Sequence, residues 1–272
     1  MKSFLAFLFI LTLINPNICD IFLSTGSEEE KDQLEITCTE DTGPDGAGIL
    51  CYPKELSTTK KHGIVIWGPG GGSKPKDNLP IIHRITSHGF VVYALSSSPG
   101  DASKASAAIE WLKNINESDN ILKNKLDMNI IGCAGHSMGG LESEQAVILL
   151  EEVKTAFLCN SGDFDHVAMG KVPVNKSIGV CYGNYGIEKD NAEKDYDNPL
   201  VKAPACKIMM TGATYDHGSC IVKGMAATVA WMRWQLGGED FRRNDFVEED
   251  GKFVNGPIIG EEGNWEGTCK NF

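Results

Sequence analysis

The feature that most constrains the fold is an alternation of short apolar runs with segments of helical periodicity. The runs GIVIWG (63–68) and FVVYAL (90–95) are almost continuous in β-branched and aromatic residues. Such runs are typical of strands that are covered on both faces. The segment between them, DNLPIIHRITSHG, predicts a helix that enters at Asn78 and stops at Gly89. Strands that alternate with helices predict an α/β protein with a doubly wound, mostly parallel sheet and helices on both faces.

The same alternation continues towards the C-terminus. Further strands are predicted in MNIIGC, TAFLCNS, SIGVCYG and CKIMMTG, and further helices in SKASAAIEWLKNIN, MGGLESEQAVILLEEV and GMAATVAWMRWQLGG. Residues 35–53 precede these elements and predict an N-terminal antiparallel hairpin at the edge of the sheet. No second domain is indicated, so we expect one α/β domain over residues 20–272.

The first residues, MKSFLAFLFILTLINPNICD, carry one lysine, a mostly apolar run from Phe4 to Ile14 and then the helix-breaking NPN. This layout predicts a secretory signal peptide over residues 1–19, because the apolar run is too short for a membrane span. Cleavage after Cys19 would leave a secreted chain without a stable membrane anchor; an uncleaved anchor is the alternative. The Asn-x-Ser sequons at Asn116 and Asn175 agree with secretion and predict a glycoprotein.

Cysteine usage indicates an oxidising compartment. Of nine cysteines, an even number remains once the signal peptide is removed, which suits a disulfide-bonded protein. Cys38 and Cys51 flank the glycine-rich part of the hairpin and are expected to bridge it. Cys220 is expected to bond to Cys206 or to Cys181, which would hold its loop against the sheet. Buried thiols are expected at two inner-strand positions, Cys133 and Cys159.

Charge and motif content exclude several kinds of partner. Thirty-seven acidic residues against twenty-five basic ones, with no Lys/Arg cluster, make nucleic acid and anionic membranes poor partners. No C-x-x-C, H-E-x-x-H or EF-hand pattern occurs, and residues 190–198 are expected to form a solvated acidic loop rather than a calcium site. The loop WGPGGGS lacks the phosphate-binding pattern G-x-x-x-x-G-K-[ST]. We therefore expect neither a metal nor a cofactor, and the oligomeric state is left open.

Ser137 lies in CAGHSMGG, between the strand MNIIGC and a predicted helix. A G-x-S-x-G motif at such a turn presents its serine on a strained backbone, so small residues must flank it. Gly135, Gly139 and Gly140 meet this requirement. Ser137 is therefore the candidate nucleophile. Its hydroxyl needs a base to remove the proton and an acid to orient that base.

His217 is the candidate base. Proteins with this motif carry their catalytic residues in the order serine, acid, histidine, each on a turn after a strand. Of six histidines, only His217 lies beyond the last strand of the predicted parallel sheet, in GATYDHGSC. His166 follows the strand after the nucleophile and comes too early.

The acid is expected after one of the strands that separate the nucleophile from the base. Asp190 follows the penultimate strand, which is the usual position, and is the leading candidate. Asp163 or Asp165, in NSGDFDH, follows the strand before, a position that some proteins with this motif use instead. The remaining alternatives are Glu188 and Asp216.

Backbone N–H groups are expected to bind the negative charge that develops on a substrate oxygen. One donor is Met138, the residue after the nucleophile. The second comes from the loop WGPGGGS. Pro69 has no N–H, so Gly70 or Gly71 must donate.

With these residues placed, the chain resembles the polyester hydrolase/cutinase-like and chlorophyllase-like branch of the α/β-hydrolases. The resemblance is carried by WGPGGG, ITSHGFVVYAL, GHSMGG and AWMRWQLGGED, in that order. It implies the α/β-hydrolase fold and hydrolysis of a small-molecule ester through an acyl-serine, without a cofactor. By position, it implies Ser137 as the nucleophile and an acid near Asp190. It also implies Met138 and Gly71 as the oxyanion donors.

The chain departs from this family at three positions. Polymer-degrading members have an aromatic residue where this chain has Gly71, and a tryptophan after the strand that here reads FLCNSG. We therefore expect a small or lipid-like ester rather than a polyester. The family's G-A-S-H turn reads GATYDH here, which puts Tyr215 in the aligned histidine position. Either the loop is reshaped so that His217 serves as the base, or the chain is a catalytically silent binding protein.

Overall fold

The structure, a computed structural model, describes residues 21–31, 33–118 and 120–272. The predicted signal peptide, residues 1–19, lies outside this described part. Among the described residues, no helix combines the length and the apolar character that a membrane span needs.

The strands of the described residues join one mixed sheet. They are β1 (Ile36–Thr42), β2 (Gly48–Pro53), β3 (His62–Gly68), β4 (Val91–Ala94), β5 (Leu126–His136), β6 (Val153–Cys159), β7 (Ser177–Gly183), β8 (Ala205–Thr211) and β9 (Asn264–Lys270). Their order across the sheet is β1-β2-β4-β3-β5-β6-β7-β8-β9. Neighbouring strands from β4 across to β8 are parallel, whereas β1, β2 and β9 pair antiparallel at the two edges. The predicted α/β fold with a mostly parallel sheet is confirmed.

In the described part of the chain, four α-helices connect parallel strands and four more lie between β8 and β9. They are α1 (Leu79–Ser87), α2 (Ser103–Glu117), α3 (Met138–Leu149), α4 (Lys189–Asp197), α5 (Ser219–Val222), α6 (Met225–Gln235), α7 (Arg243–Val247) and α8 (Lys252–Asn255). Short 3-10 helices cover Pro75–Asn78, Met169–Lys171 and Asp240–Arg242. Helix α4 occupies most of the segment 190–198, so the prediction of a loop there is wrong. Its Ala192 and Tyr196 are buried, and packing of these two side chains stabilises a helix in a segment that is otherwise polar.

The core lies on both faces of the sheet. In β3, Val65 and Trp67 point to one face and pack with apolar residues of α1 and α6. Ile64 and Ile66 alternate with them and pack on the other face with α2 and α3. Every residue of β3 is buried, which explains why its sequence is a continuous apolar run rather than an alternating one.

Disulfides join antiparallel strands at both edges of the sheet. The predicted hairpin forms between β1 and β2, where Cys38 lies opposite Cys51 and is bonded to it. At the other edge, Cys206 of β8 is bonded to Cys269 of β9. The alternative of a bond between Cys206 and Cys220 is therefore wrong. That alternative arose because the apolar pattern did not reveal strand β9, which carries Cys269, the residue bonded to Cys206.

The two sequons differ in accessibility. Asn116 is 9% exposed, and its amide group hydrogen-bonds to the backbone of Leu126 on both sides, as donor and as acceptor. Attachment of a glycan would break these hydrogen bonds at the start of β5. Asn116 is therefore not placed to carry a glycan, whereas Asn175 is exposed.

The carboxyl ends of the parallel strands meet along one edge of the sheet, where ligands of open α/β sheets bind. Ser137 directly follows β5, Glu188 follows β7, and His217 follows β8. The topology therefore brings together three side chains that are far apart in the sequence.

Candidate active site

Ser137 stands on a sharp turn between β5 and α3. Its backbone has φ 54° and ψ −117°, in the left-handed region that few residues other than glycine adopt. Neighbouring chain segments hold it there. The N–H of Ser137 donates to the carbonyl oxygen of Cys159 at 3.0 Å, and its carbonyl oxygen accepts a hydrogen bond from Ser161 Oγ at 2.7 Å. The predicted strand-to-helix turn is present.

Glycines make this turn sterically possible. A Cβ atom on Gly139 would lie 1.9 Å from the carbonyl oxygen of Gly68, at the end of β3. A Cβ atom on Gly135 would lie 2.2 Å from the carbonyl oxygen of Gly139. Backbone approaches backbone at both positions, so no side chain can move aside to relieve the contact. The G-x-S-x-G spacing is thus a packing requirement of the turn.

His217 contacts the hydroxyl of Ser137. Its Nε2 lies 3.0 Å from Ser137 Oγ, within the range of a hydrogen bond. The imidazole side chain is 32% exposed, so water and a substrate can reach it. Position along the chain predicted this histidine, and the structure brings it to the predicted serine.

The loop around His217 is reshaped relative to the family's G-A-S-H turn. Tyr215, in the aligned histidine position, is fully buried, and its hydroxyl donates to the carbonyl oxygen of Glu262. Its N–H donates to Asn184 Oδ1 at 3.1 Å. Tyr215 therefore anchors the loop, and His217, two residues further on, reaches the cleft.

A second histidine supports the first. His136 precedes the nucleophile, and its Nε2 donates to the carbonyl oxygen of His217 at 2.7 Å. The two rings lie 4.9 Å apart, centroid to centroid. Burial lowers the pKa of His136, whereas the hydrogen bond to the carbonyl oxygen of His217 and the nearby Glu188 carboxylate act in the opposite direction. A neutral His136 therefore holds the backbone of the candidate base.

Glu188 is the acid that contacts His217. Its Oε2 lies 2.6 Å from His217 Nδ1, and its side chain is 6% exposed. Its other oxygen, Oε1, accepts a hydrogen bond from Asn160 Nδ2 at 2.8 Å. Glu188 precedes helix α4 directly and follows a turn at Gly186, where a Cβ atom would lie 2.2 Å from Glu188 Oε1. The turn after β7 thus folds the glutamate back towards the histidine.

Asp190, the leading candidate from chain order, does not contact His217. It lies in the first turn of α4, and its side chain is 77% exposed. Its carboxylate pairs with Lys194 Nζ at 3.8 Å. Helix α4 begins at Lys189, so Asp190 is carried to the solvent side of the helix. The expected placement of Asp190 beside His217 is therefore corrected: Glu188, one of the alternatives that the chain order left open, lies there instead.

The other acidic candidates have other partners. Asp163 closes its own loop by accepting hydrogen bonds from backbone N–H groups further along it. Asp216 accepts a hydrogen bond from the N–H of Gly218, which shapes the turn that carries the histidine. Asp165 is exposed.

Met138 and Gly71 lie next to each other at the nucleophile. Met138 is the first residue of α3, so its backbone N–H has no acceptor within the helix. A Cβ atom on Gly71 would lie 3.1 Å from Met138 Cγ. Gly70 lies instead against His136, whose Nδ1 would be 2.8 Å from a Cβ atom there. The role of Met138 and Gly71 as oxyanion donors stays a prediction, and their adjacency favours Gly71 over Gly70.

A small cleft of about 100 Å³ opens beside the nucleophile. Its lining consists of Ser137, Met138, Leu141, Asn160, Ser161, Gly162, Phe164, Ile187, Glu188, Asn191 and His217. Phe164 and Ile187 are 69% and 82% exposed, although both are large and apolar. An aromatic side chain therefore does follow the strand FLCNSG, but as a phenylalanine. The sequence comparison did not identify Phe164, because it considered only a tryptophan at this place.

Metal-binding residue types cluster at one place in the described part of the chain, away from this cleft. The group consists of Cys38, Cys51 and His83. Both sulfur atoms of this group form the hairpin disulfide, which removes the thiolates that a metal would need.

Comparisons with known proteins agree with this geometry. The model of the PETase family, described as PET hydrolase-like, matches residues 31–250. Cutinase est2 of Thermobifida alba is 29% identical over 101 residues, which cover 35% of this chain and 32% of that protein. Cutinase 2 of Thermobifida cellulosilytica is 30% identical over 101 residues, which cover 35% of this chain and 37% of that protein.

These cutinases are matched over only about a third of their own length. The family model, in contrast, covers most of the chain, from the hairpin to beyond α7. It confirms the resemblance to polyester hydrolases and cutinase-like α/β-hydrolases. The chain belongs to the PET hydrolase-like family of α/β-hydrolases.

Proposed function

We propose that the protein is a serine hydrolase that cleaves small carboxylic esters through an acyl-serine intermediate. The observation that carries this proposal is the placement of His217 between Ser137 and Glu188, at 3.0 Å and 2.6 Å. Such a serine, base and acid are recognised by their geometry and roles rather than by their positions in a sequence.

In the first half of the proposed reaction, Ser137 Oγ attacks the ester carbonyl carbon and His217 Nε2 takes the hydroxyl proton. The carbonyl oxygen becomes negatively charged and accepts hydrogen bonds from the N–H groups of Met138 and Gly71. Collapse of the tetrahedral intermediate breaks the bond to the alcohol oxygen. His217 then gives its proton to the leaving alcohol, and the acyl group stays on Ser137.

In the second half, a water molecule takes the place of the alcohol. His217 removes a proton from the water, whose oxygen attacks the acyl carbon. The second tetrahedral intermediate releases the carboxylic acid, and Ser137 regains its proton from His217. Glu188 keeps its negative charge throughout and stabilises the imidazolium that forms in each half.

The cleft supports a small or lipid-like ester as the substrate. Its volume of about 100 Å³ is below that of sites for drug-sized ligands, which are roughly 300–1,000 Å³. Phe164 and Ile187 offer apolar surface at its rim, where an acyl chain would be removed from water.

We further propose that the mature protein is one domain, residues 20–272, and acts outside the cytosol. The bonds Cys38–Cys51 and Cys206–Cys269 support an oxidising compartment, where disulfides persist. Expression with the leader in a eukaryotic host should give a secreted chain whose first residue is Asp20. Retention in the membrane with an intact leader would contradict secretion. A glycan is expected at Asn175 and not at Asn116.

The catalytic proposal is tested with a fluorophosphonate probe and with p-nitrophenyl butyrate. Ser137 should form one covalent adduct, detected by intact mass and mapped to its peptide, because an activated serine attacks phosphorus much faster than other serines do. Ser137→Ala should abolish both the adduct and the hydrolysis. His217→Ala should lower kcat by about 10³-fold or more.

Ser118→Ala is the matched control, since Ser118 is exposed and follows α2 at the opposite end of the sheet. It should keep wild-type rates. Labelling or hydrolysis that persists in Ser137→Ala would refute the assignment. A wild-type protein without activity on any short ester would favour the catalytically silent binding protein.

A further inference from the structure

Asn160 lies at the meeting point of the segments that carry the candidate site. It directly follows β6 and is fully buried. Its φ of 48° lies in the left-handed region, where asparagine is tolerated better than most residues. Its N–H donates to the carbonyl oxygen of Cys181 in the neighbouring strand β7, at 2.7 Å. The backbone therefore fixes the direction of this side chain.

The amide group of Asn160 joins the acid to the histidine loop. Its Nδ2 donates to Glu188 Oε1 at 2.8 Å and to the carbonyl oxygen of Asp216 at 3.1 Å. Its Oδ1 accepts a hydrogen bond from the N–H of Cys220 at 2.9 Å. Asp216 and Cys220 flank His217 in the sequence, so one side chain holds both ends of the turn that carries the base.

Glu188 needs such a partner. A glutamate has one more rotatable bond than the aspartate that is usual in this position, and ordering it costs more side-chain entropy. Its oxygen Oε2 contacts His217, which leaves Oε1 buried and in need of a donor, because an unpaired buried carboxylate oxygen is costly. Asn160 supplies that donor without adding a charge that would compete with the imidazolium.

We propose that Asn160 is a positioning residue that sets the relative placement of Glu188 and His217. This inference rests on the proposed ester hydrolysis. Asn160 acts through the acid and the base. Its amide nitrogen donates to the carboxylate and keeps it turned towards His217 Nδ1, and the same nitrogen and the amide oxygen hold the histidine loop against β6. Because Asn160 directly follows β6, its amide group fixes the positions of Glu188 and His217 relative to the end of this central strand.

Two substitutions separate this role from a contribution to folding. Asn160→Gly removes the amide but tolerates the positive φ. Asn160→Asp keeps the shape and the acceptor for Cys220, but replaces the donor to Glu188 with a second carboxylate. Asn124 is a matched control, because it also has a positive φ, 59°, and lies in an exposed loop ahead of β5. Asn124→Gly should behave as wild type.

Steady-state kinetics on p-nitrophenyl butyrate give the first readout. Asn160→Gly should lower kcat by about 10- to 100-fold, the loss typical of removing an outer partner of a site residue, with KM within about 2-fold of wild type. In Asn160→Asp the acid limb of the pH–rate profile should move to higher pH, because the added negative charge favours the protonated imidazole. The rate of fluorophosphonate labelling should fall in parallel with kcat.

A double-mutant cycle with Glu188→Gln gives the second readout. Because Asn160 acts partly through Glu188 and partly through the histidine loop, Asn160→Gly should lower kcat by a smaller factor in the Glu188→Gln background than in the wild type. Proton NMR should show the low-field signal of the His217 Nδ1–H in wild type, and its loss or shift in Asn160→Gly. The melting temperatures of Asn160→Gly and Asn160→Asp should be compared with that of the wild type. If one variant does not fold, the other one provides the test.

Wild-type kcat and an unchanged NMR signal in both Asn160 variants would overturn the inference, as would fully additive effects in the cycle. If Ser137→Ala abolishes activity while the Asn160 variants are normal, only the positioning role fails. If Ser137→Ala stays active, the proposed function itself fails.

Discussion

The carboxylate of Glu188 lies 2.6 Å from His217 Nδ1, the ring nitrogen that faces away from Ser137. A carboxylate here holds the proton on Nδ1 and leaves the lone pair of Nε2 for the serine hydroxyl. We expect Glu188→Gln to lower kcat by about 10³- to 10⁴-fold, because an amide in this place allows the wrong tautomer. The measurement is steady-state hydrolysis of p-nitrophenyl butyrate.

Asp190→Asn is the control for this prediction, since Asp190 is exposed on α4 and pairs with Lys194. It should stay within about 2-fold of wild type, as surface substitutions away from a site usually do. A severe loss in Asp190→Asn together with a normal Glu188→Gln would return the acid to the position that chain order favoured.

The sequence predicted the residues whose placement is imposed by the backbone. Ser137 is fixed by glycines that allow backbone to approach backbone, and this requirement is visible as a motif. His217 is fixed by strand order, since every parallel strand ends at the same edge of the sheet. Glu188 was not singled out, because strand order identifies the loop that carries the acid but not the residue in it. Which residue of the loop contacts His217 depends on where α4 begins and on the hydrogen bond between Asn160 and Glu188.

Strand β9 and the position of Phe164 were not predicted from the sequence, for different physical reasons. Strand β9 has its buried Trp265 in an otherwise mostly polar segment, so its apolar residues do not alternate over its length. Its stability comes from pairing with β8 and from the bond between Cys206 and Cys269. Phe164 was missed because its role depends on the path of a loop, which no periodicity encodes.

Phe164 should set the preference for the acyl group. It lines the cleft with 69% of its surface exposed, and contact with an acyl chain would cover that surface. We expect Phe164→Ala to raise KM for p-nitrophenyl butyrate by roughly 3- to 10-fold, which corresponds to about 0.5–1.5 kcal/mol of lost apolar contact. The effect on p-nitrophenyl acetate should be smaller, because the acetyl group is shorter.

Val174→Ala is the control for this experiment, because Val174 is exposed by a similar fraction, 68%, outside the cleft. It should leave KM for both esters unchanged. Equal effects of Phe164→Ala on acetate and butyrate would indicate that Phe164 does not contact the acyl chain.

The described cysteines should fall into three classes on non-reducing peptide mapping. Two linked pairs are expected, Cys38–Cys51 and Cys206–Cys269. Removal of the hairpin bond by Cys38→Ser/Cys51→Ser should lower the free energy of unfolding by about 2–4 kcal/mol, measured by urea titration. Buried thiols are expected at Cys133 and Cys159. Mapping that finds every cysteine reduced would contradict both the bonds and the oxidising compartment.

Cys181 and Cys220 form the third class. Both are free thiols, and their sulfur atoms lie 2.9 Å apart, so a bond between them stays a prediction. Burial raises the pKa of both thiols, which keeps the reactive thiolate scarce and the oxidation slow. Long incubation with oxidised glutathione should form the bond and release two molecules of reduced glutathione. A Cys181→Ser variant should not form it. Recovery of both residues as alkylated thiols after such treatment of the wild type would disprove the pairing.

Glu144 of α3 and Asp195 of α4 are a buried pair of carboxyl groups. Both are fully buried, and neither oxygen of Glu144 has a hydrogen-bond donor among the described residues. Burial raises the pKa of Glu144 well above its usual range, and the Asp195 carboxylate raises it further. Asp163 acts in the same direction, whereas Lys171 opposes it. One proton between the two carboxyl groups would give each of them a partner.

This proton makes stability depend on pH. In the unfolded chain Glu144 loses its proton near pH 4.3, at about the value of a free glutamate, whereas the folded state retains it to higher pH. Above pH 4.3 the folded state therefore binds more protons, and the free energy of unfolding falls as the pH rises. Glu144→Gln carries a permanent N–H donor for Asp195 and should remove this loss. We expect it to stabilise the protein at pH 8 by about 1–3 kcal/mol and to have little effect at pH 4, measured by urea unfolding.

Glu151→Gln, at an exposed position, should show no such difference between the two pH values. A Glu144→Gln variant that is destabilised equally at pH 4 and pH 8 would mean that no proton is shared and that the glutamate has another buried partner.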